Sequence, residues 1–173
     1  MELILLRHAP PHREFHRRYI GHTDIVIDPD LFDPAKVAPL LDEQYDAVCS
    51  SDLVRCTATL RHMGMEDYIT DSRLREVRFK ASVEGKSFDE IAQTAEYHPG
   101  VLASVRSWHD FVCDEPSAAF SERVASFLGS LPPCGTVLVC THAGTIREIL
   151  SQLFPEGENT SLGYLEYTRV RVK

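Results

Sequence analysis

Two stretches that each contain a histidine, Leu5-Leu6-Arg7-His8 and Val139-Cys140-Thr141-His142-Ala143-Gly144, lie near opposite ends of the chain. In each stretch the histidine comes shortly after a short apolar run, over residues 4–6 in the first and 136–140 in the second. Such runs predict buried β-strands. Open α/β sheets bind their ligands in the crevice at the carboxyl ends of the strands. The two histidines, with an arginine beside the first, therefore predict a site at one edge of a sheet.

The pattern between these two strands alternates between helices and strands. Asp33-Pro34 marks a helix start, Ser51 or Asp52 is the expected N-cap of the next helix, and Pro132-Pro133 ends a long amphipathic helix. The predicted helices are residues 35–43, 52–63, 87–95, 116–131 and 144–153, and the further predicted strands are residues 47–49, 68–69 and one or two within 161–172. This order predicts an α/β fold with a mainly parallel sheet.

The length of 173 residues and the hydrophobic content of 43% fit one globular domain, residues 1–173. Met1 leads almost directly into the first predicted strand, and no run approaches the roughly 20 apolar residues of a membrane span. We therefore expect a cytoplasmic protein with no membrane partner. Five cysteines without a CxxC pair indicate buried, reduced thiols rather than disulfides or a zinc site.

The net charge of −8 argues against a nucleic acid or an acidic membrane as the main partner. Residues 7–22 nevertheless hold four arginines and one acid, a local charge of +3 that leaves −11 for the rest of the chain. A positive patch on an acidic protein suits a small anionic ligand. The alternative is an ordinary solvated loop.

Arg55 lies near the start of the helix that follows the predicted strand 47–49, so it can point toward the same sheet edge as the two histidines. Two guanidinium groups and two imidazoles would bind a tetrahedral dianion such as phosphate, with backbone N–H groups of Ala143 and Gly144 as further donors. A neutral imidazole in that position can attack phosphorus, and a nearby carboxylic acid can protonate the leaving oxygen.

Six segments, taken in order, resemble the motifs of the histidine phosphatase superfamily, also called phosphoglycerate mutase-like. They are Leu5-Leu6-Arg7-His8, Tyr19-Ile20-Gly21-His22-Thr23-Asp24, Asp46-Ala47-Val48-Cys49-Ser50-Ser51-Asp52-Leu53-Val54-Arg55, Leu74-Arg75-Glu76, Glu84-Gly85-Lys86-Ser87 and Thr141-His142-Ala143-Gly144-Thr145-Ile146-Arg147. The resemblance implies a three-layer α/β/α fold around a mainly parallel mixed sheet. The segment at residues 21–24 and the short length look most like the α-ribazole phosphatases.

The resemblance also implies a role for each matching residue. His8 would be the nucleophile that becomes phosphorylated, and Glu76 the proton donor, with Glu84 as the fallback. The phosphoryl group would be bound by Arg7, Arg55, His142, the backbone of Ala143 and the hydroxyl of Thr23. The expected partner is a small phosphate ester such as α-ribazole 5'-phosphate, and we expect no cofactor and no metal.

The loop after the first histidine departs from the family pattern. The usual glycine is replaced by Ala9, but Pro10 follows and keeps Ala9 in an extended conformation with negative φ, so the freedom of glycine is not needed. Glu14 stands where the family has asparagine, and a carboxylate there would repel phosphate. We therefore expect the loop over residues 9–19 to follow a different path and to offer Arg13, Arg17 or Arg18 instead.

Three other functions remain open from the sequence. A mutase is less favoured because family mutases are longer and the chain has no room for their insertions. A metal site could use His12 and His16, since Pro10 and Pro11 exclude His8 from the same helix. A non-catalytic module could keep the phosphate pocket without turnover.

Overall fold

One five-stranded sheet forms the centre of the computed structural model, which describes residues 1–157 and 161–172. The strands are β1 (Glu2–Arg7), β2 (Ala47–Ser50), β3 (Ile69–Thr70), β4 (Thr136–Thr141) and β5 (Tyr167–Arg171). Their order across the sheet is β3-β2-β4-β1-β5. All neighbours are parallel except β1 and β5, which are antiparallel. The mainly parallel sheet predicted from the sequence is confirmed.

Six α-helices accompany the sheet within the described residues. They are α1 (Pro34–Leu41), α2 (Val54–His62), α3 (Phe88–Ala92), α4 (Val105–Val112), α5 (Ser117–Leu128) and α6 (Ala143–Leu153). None of these helices is both long and apolar enough to cross a membrane.

Alternation along β1 divides the core between the two faces of the sheet. Leu3 and Leu5 pack with buried residues of α5 and α6. Ile4 and Leu6 point to the other face and pack with buried residues of α1 and α2. Because successive side chains of a strand point to opposite faces, one apolar run supplies both cores. The result is the predicted three-layer arrangement.

Some local predictions were wrong. Helix α2 begins one or two residues later than expected, with Leu53 at its N-cap and no side-chain cap. Helix α4 was missed because it is short and its start carries only serine as a signal; Ser104 caps it by accepting a bond from the Ser107 N–H. Within residues 161–172, the prediction of one or two strands is confirmed, and the structure has one. Four cysteines are buried, as expected, but Cys134 is exposed.

Candidate active site

The carboxyl ends of β1 and β4 bring the two histidines together. The strands are neighbours, with Arg7 opposite Thr141, so the residue that follows each strand emerges at the same edge. The rings of His8 and His142 lie 5.2 Å apart, centroid to centroid. Their exposed fractions are 6% and 1%. The structure therefore assembles the predicted pair inside the protein.

A cavity of about 200 Å³ opens at this point. Its lining includes six of the predicted site residues, Arg7, His8, Arg55, Glu76, His142 and Ala143. Thr23 and Glu84 do not line it. Of the three loop arginines, Arg18 reaches the cavity whereas Arg13 and Arg17 do not. A volume of this size holds a phosphoryl group and a few waters.

Hydrogen bonding assigns the tautomer of His8. Its Nδ1 lies 2.7 Å from the carbonyl oxygen of Ala9, and a carbonyl can only accept, so Nδ1 carries the proton. Within the described part of the chain, no group bonds to Nε2. Its lone pair is therefore available on a ring that lines the cavity. The φ of Ala9 is negative, as predicted, since positive φ at non-glycine residues occurs at Arg17 and Leu165.

Burial keeps both histidines neutral. Desolvation, followed by the charges of Arg55 and Arg7, lowers the pKa of His8 well below its usual value. Desolvation and the charge of Arg55 likewise lower the pKa of His142. The positive charge of the cavity therefore resides in the arginines, and the imidazoles are present as uncharged rings.

This burial makes stability depend on pH, since the ordinary pKa of histidine is about 6.5 in the unfolded chain. Below that pH both histidines take up a proton in the unfolded state but stay neutral in the folded state. The unfolding free energy is therefore highest above pH 6.5 and falls as the pH falls. We expect the two residues to cost about 2–3 kcal/mol of unfolding free energy between pH 7.5 and 5.5. Urea denaturation across this range measures the loss.

Two variants test the source of that pH dependence. His8→Gln should remove about half of the 2–3 kcal/mol loss that the two rings cause, because one of them is gone. His98→Gln alters an exposed histidine and should keep the wild-type slope. A wild-type unfolding free energy that does not change between pH 7.5 and 5.5 would contradict the neutral state of both rings.

Arg7 presents one unsatisfied donor. Its guanidinium lies 4.0 Å from the ring centre of Tyr164, and Nη1 donates to the carbonyl of Leu162 at 2.7 Å. Nε is buried and has no hydrogen-bond partner among residues 1–157 and 161–172. A buried donor without an acceptor is costly, and the side chain that carries this one lines the cavity, so Arg7 favours the presence of an anion there.

Arg55 and His142 form a connected pair, with Arg55 only 1% exposed. Arg55 Nε donates to His142 Nδ1 at 3.1 Å, so Nδ1 lacks a proton and Nε2 carries it, donating to Ser51 Oγ at 2.9 Å. Arg55 also donates to the carbonyls of Thr23 and Gly21 at 3.0 and 2.7 Å. Since a guanidinium has five N–H groups, two remain for a ligand.

The loop over residues 21–23 is held from the other side by Glu84. Its Oε1 accepts from the backbone N–H groups of Gly21 and Thr23, at 2.9 and 3.2 Å. A Cβ at Gly21 would lie 2.6 Å from the carbonyl oxygen of Val77, so only glycine fits. Glu84 therefore supports the loop that holds Arg55, and it does not line the cavity.

Glu76 is 9% exposed and lines the cavity. Its two carboxylate oxygens accept from the backbone N–H groups of Val77 and Gly144, at 3.0 and 2.9 Å. We expected the N–H of Gly144 to donate to the ligand, but it donates to Glu76 instead. The neighbouring Ala143 N–H, at the start of α6, has no acceptor in the described part of the chain.

Several contributing residues were not predicted from the sequence. Tyr164 packs on Arg7 from a segment with no motif. Ser51 was assigned to helix capping and instead bonds to His142. The backbone carbonyl of Glu76 is bonded by His22, at 2.9 Å, and by Arg123, at 3.1 Å. His22 lies in a recognisable motif, whereas nothing near Arg123 in the sequence signals its role.

The divergent loop follows a path that keeps its acid away from the cavity. Glu14 is exposed and does not line the cavity. Arg18 does, but it is also paired with Glu90 at 2.6 Å. His12 and His16 flank a single 3₁₀ turn, Arg13–Phe15, and bond to Asp28 and to the carbonyl of Pro11. Among the described residues, no group of three or more His, Cys, Asp or Glu is placed to hold a metal ion.

Known proteins resemble this chain over most of its length. The sequence model of the histidine phosphatase superfamily (branch 1) matches residues 3–172. None of the curated proteins compared with the chain is similar enough in sequence to count as a match.

Three solved structures illustrate the structural likeness. A variant of TTHB049 from Thermus thermophilus is 26% identical with a TM-score of 0.75, covering 98% of this chain and 92% of that one. A phosphoglycerate mutase from Thermus thermophilus is 24% identical with a TM-score of 0.72, covering 98% and 92%. A phosphoserine phosphatase from Entamoeba histolytica, in complex with 3-phosphoglyceric acid, is 24% identical with a TM-score of 0.75, covering 97% and 89%. The last two likenesses concern the fold alone.

Proposed function

The chain belongs to the histidine phosphatase superfamily, and from this premise we propose that it is a phosphomonoester hydrolase acting through a phosphohistidine on His8. One domain, residues 1–173, carries the activity. The observation that supports this most directly is the state of His8, a neutral ring whose Nδ1–H is bonded to the Ala9 carbonyl and whose Nε2 lone pair is free. A nucleophile has to be unprotonated and accessible, and Nε2 meets both conditions.

In the first step, His8 Nε2 attacks the phosphorus atom of the bound ester. The bond from nitrogen to phosphorus forms, the bond from phosphorus to the ester oxygen breaks, and the carboxyl proton of Glu76 passes to the leaving alkoxide. The products of this step are the free alcohol and a phosphohistidine.

In the second step, water attacks the phosphohistidine. Glu76, now a carboxylate, accepts a proton from this water as the new oxygen–phosphorus bond forms. The nitrogen–phosphorus bond breaks, so His8 returns to its neutral state and orthophosphate leaves. The bond from Nδ1–H to the Ala9 carbonyl is kept throughout, and it holds the ring at one orientation.

The phosphoryl oxygens are bound by arginine in this mechanism. Arg7 offers the N–H groups that its bond to Leu162 leaves, Arg55 its two remaining N–H groups, and Ala143 its backbone N–H, and all three residues stabilise charge that develops in the transition state. His142 has both nitrogens bonded to protein, so direct contact with a phosphoryl oxygen requires Nε2 to exchange Ser51 Oγ for the ligand. Thr23 contributes through the carbonyl that holds Arg55.

The substrate in this proposal is a small phosphorylated metabolite. The segment Gly21-His22-Thr23-Asp24, which resembles α-ribazole phosphatases, makes α-ribazole 5'-phosphate the first compound to test.

Mutase activity is the second candidate, and the fold shared with the Thermus thermophilus phosphoglycerate mutase favours it. That chain is covered over 92% of its length, so length does not distinguish the two activities here. Hydrolysis is supported by a second cavity of about 1,090 Å³, which has room for water beside Glu76.

The test is a panel of phosphate esters with two readouts. Purified protein is incubated with p-nitrophenyl phosphate, benzyl phosphate, α-ribazole 5'-phosphate and 3-phosphoglycerate. Orthophosphate release supports the hydrolase. Isomerisation of 3-phosphoglycerate without orthophosphate supports the mutase. If orthophosphate raises the melting temperature but no ester reacts, the chain is a non-catalytic phosphate-binding module and the proposal fails.

Gly144→Ala should lower activity without unfolding the protein. A Cβ at this position would overlap Glu76 Oε1 and lie 3.0 Å from its carboxyl carbon. The flexible glutamate side chain can move aside, so we expect kcat on benzyl phosphate to fall about tenfold to a hundredfold, part of what a general acid supplies. The melting temperature should change little, because alanine is about 1 kcal/mol better than glycine in a helix.

Gly129→Ala is the matched control for that substitution. Its added Cβ would meet the nearest atom, the Ala125 carbonyl oxygen, at an ordinary 3.4 Å. This variant should keep the wild-type kcat. Equal activity of the two alanine variants would show that the position of Glu76 does not matter for turnover.

A further inference from the structure

A second, larger cavity adjoins the one that holds His8. Its volume is about 1,090 Å³, against about 200 Å³ for the first. Both cavities are lined by Tyr19, Glu76, Phe79, Gly144 and Arg147, so they meet along that shared boundary. Glu76, the proposed proton donor, lies at the junction. A phosphoryl group held beside His8 would therefore direct its ester oxygen toward Glu76 and the rest of the molecule into the larger cavity.

The walls of the larger cavity are mainly apolar and come from several elements. Val112 and Trp108 are on α4, Phe120 is on α5, Leu150 is on α6 and Val170 is on β5. Val112 and Phe120 are buried parts of the core. This part of the wall is therefore fixed by the packing that forms the fold, while Phe154, Pro155 and Gly157, in the segment after α6, complete the lining.

Aromatic rings run from the junction into this cavity. Tyr19 lies edge-on to Phe79, with 5.3 Å between ring centres, and 5.8 Å from Trp108. Aromatic groups pair at centroid separations of about 4.5–7 Å, so the row offers contact surface for another ring.

The size of the cavity bears on the substrate. Small-molecule sites occupy roughly 300–1,000 Å³ and are mostly apolar with a few polar groups. A short polar alcohol, such as the glycerate part of 3-phosphoglycerate, would leave most of the larger cavity filled with water against apolar walls. An apolar group would gain roughly 25 cal/mol for each Å² of apolar surface that it buries there.

On the basis of the hydrolase function proposed above, we propose that the substrate is the phosphomonoester of an alcohol bearing a bulky, apolar ring system, which occupies the larger cavity while the phosphoryl group lies between His8 and Arg7. The ring system packs against the row formed by Tyr19, Phe79 and Trp108. Residues of α4, α5 and α6 then determine which substrate binds, and residues at the carboxyl ends of β1 and β4 carry out the reaction.

Phosphonates test this assignment without any turnover, because their carbon–phosphorus bond is not hydrolysed. Methylphosphonate, benzylphosphonate and 2-naphthylmethylphosphonate share one anionic head and differ in the apolar group. Calorimetric titration should show that Kd falls about tenfold from methylphosphonate to benzylphosphonate and about tenfold again to 2-naphthylmethylphosphonate. Added apolar groups produce effects of this size in a hydrophobic pocket. Equal Kd values for the three compounds would overturn the assignment.

Two neighbouring positions on α5 provide a matched pair of variants. Ala118 and Ala119 are both exposed, and only Ala118 lines the larger cavity. Ala118→Trp should weaken binding of 2-naphthylmethylphosphonate at least about tenfold more than binding of methylphosphonate, because the indole takes up space that the naphthyl group needs. Ala119→Trp should bind all three phosphonates as the wild type does. The same response from both variants would overturn the assignment.

The outcomes separate this inference from the hydrolase proposal. Turnover of phosphate esters combined with equal Kd values for the three phosphonates rejects the bulky substrate and keeps the hydrolase. Graded phosphonate binding without turnover of any ester keeps the cavity as a binding site for a bulky phosphoryl compound and rejects the hydrolase.

Discussion

Replacing His8 with alanine should lower kcat for phosphate esters by about 10⁴-fold or more, as expected when a covalent nucleophile is removed. No second imidazole can take over. His142 lies 5.2 Å away, ring to ring, but its Nδ1 accepts from Arg55 and its Nε2–H donates to Ser51. Orthophosphate release from p-nitrophenyl phosphate measures the loss, with a melting curve to show that the variant is folded.

The phosphohistidine itself gives an independent readout. Wild-type protein mixed with a ³²P-labelled ester and quenched should carry protein-bound phosphate that is lost in acid, and His8→Ala should carry none. His12→Ala is the control, since His12 is exposed and does not line the cavity; it should keep both the activity and the label. Substantial turnover by His8→Ala would falsify the assignment of the nucleophile.

The central part of the fold was predictable because its signals are local. Continuous apolar runs over residues 4–6 and 136–140 can only be buried, and they became β1 and β4. A histidine follows each of these two strands directly in the sequence, so its place at the carboxyl end of the strand was predictable as well. Helix α4 was missed because eight residues give barely two turns of pattern, and because its apolar side faces a cavity that several other elements create.

Only the site residues that belong to recognisable sequence motifs were predictable. Glu76 and Glu84 could not be separated by sequence, since both lie in irregular segments eight positions apart. The structure separates them by their contacts: Glu76 lines the cavity, whereas Glu84 holds Gly21 and Thr23. Tyr164 and the larger cavity depend on segments far apart in the chain, and such contacts leave no local pattern.

In the proposed mechanism, electrostatics allow one cavity to hold both an anion and a nucleophile. If His8 were charged, it would bind phosphate but could not attack it. Burial and the adjacent Arg55 and Arg7 keep the ring neutral by lowering its pKa, and the same two arginines supply the charge that the phosphoryl group needs. The pocket thus divides anion binding and nucleophilic attack between different side chains.

Glu76→Gln should lower activity by an amount that depends on the leaving group. Benzyl phosphate releases a poor leaving group that needs a proton, and a general acid supplies about 10²–10⁴-fold in such a reaction. p-Nitrophenyl phosphate releases a stabilised phenolate that hardly needs one, so its kcat/KM, which reports formation of the phosphohistidine and not its later hydrolysis, should fall by no more than about tenfold. The ratio of kcat/KM values for the two esters, in variant and wild type, is the measurement. The ratio is informative because the glutamine amide keeps at most one of the bonds to Val77 and Gly144, and any displacement affects both esters alike.

Glu84→Gln separates the proton donor from its fallback. Both bonds to Glu84, from the Gly21 and Thr23 N–H groups, end on the same oxygen, so the amide oxygen of glutamine can keep them. This variant should change both kcat/KM values by the same small factor. If the loss of activity depended on the leaving group in Glu84→Gln but not in Glu76→Gln, Glu84 would be the proton donor. The loop over residues 21–23 would then have to release the Glu84 carboxylate during the reaction. Proton transfer by Glu76 needs no such rearrangement, because its carboxyl group already lies where the two cavities meet.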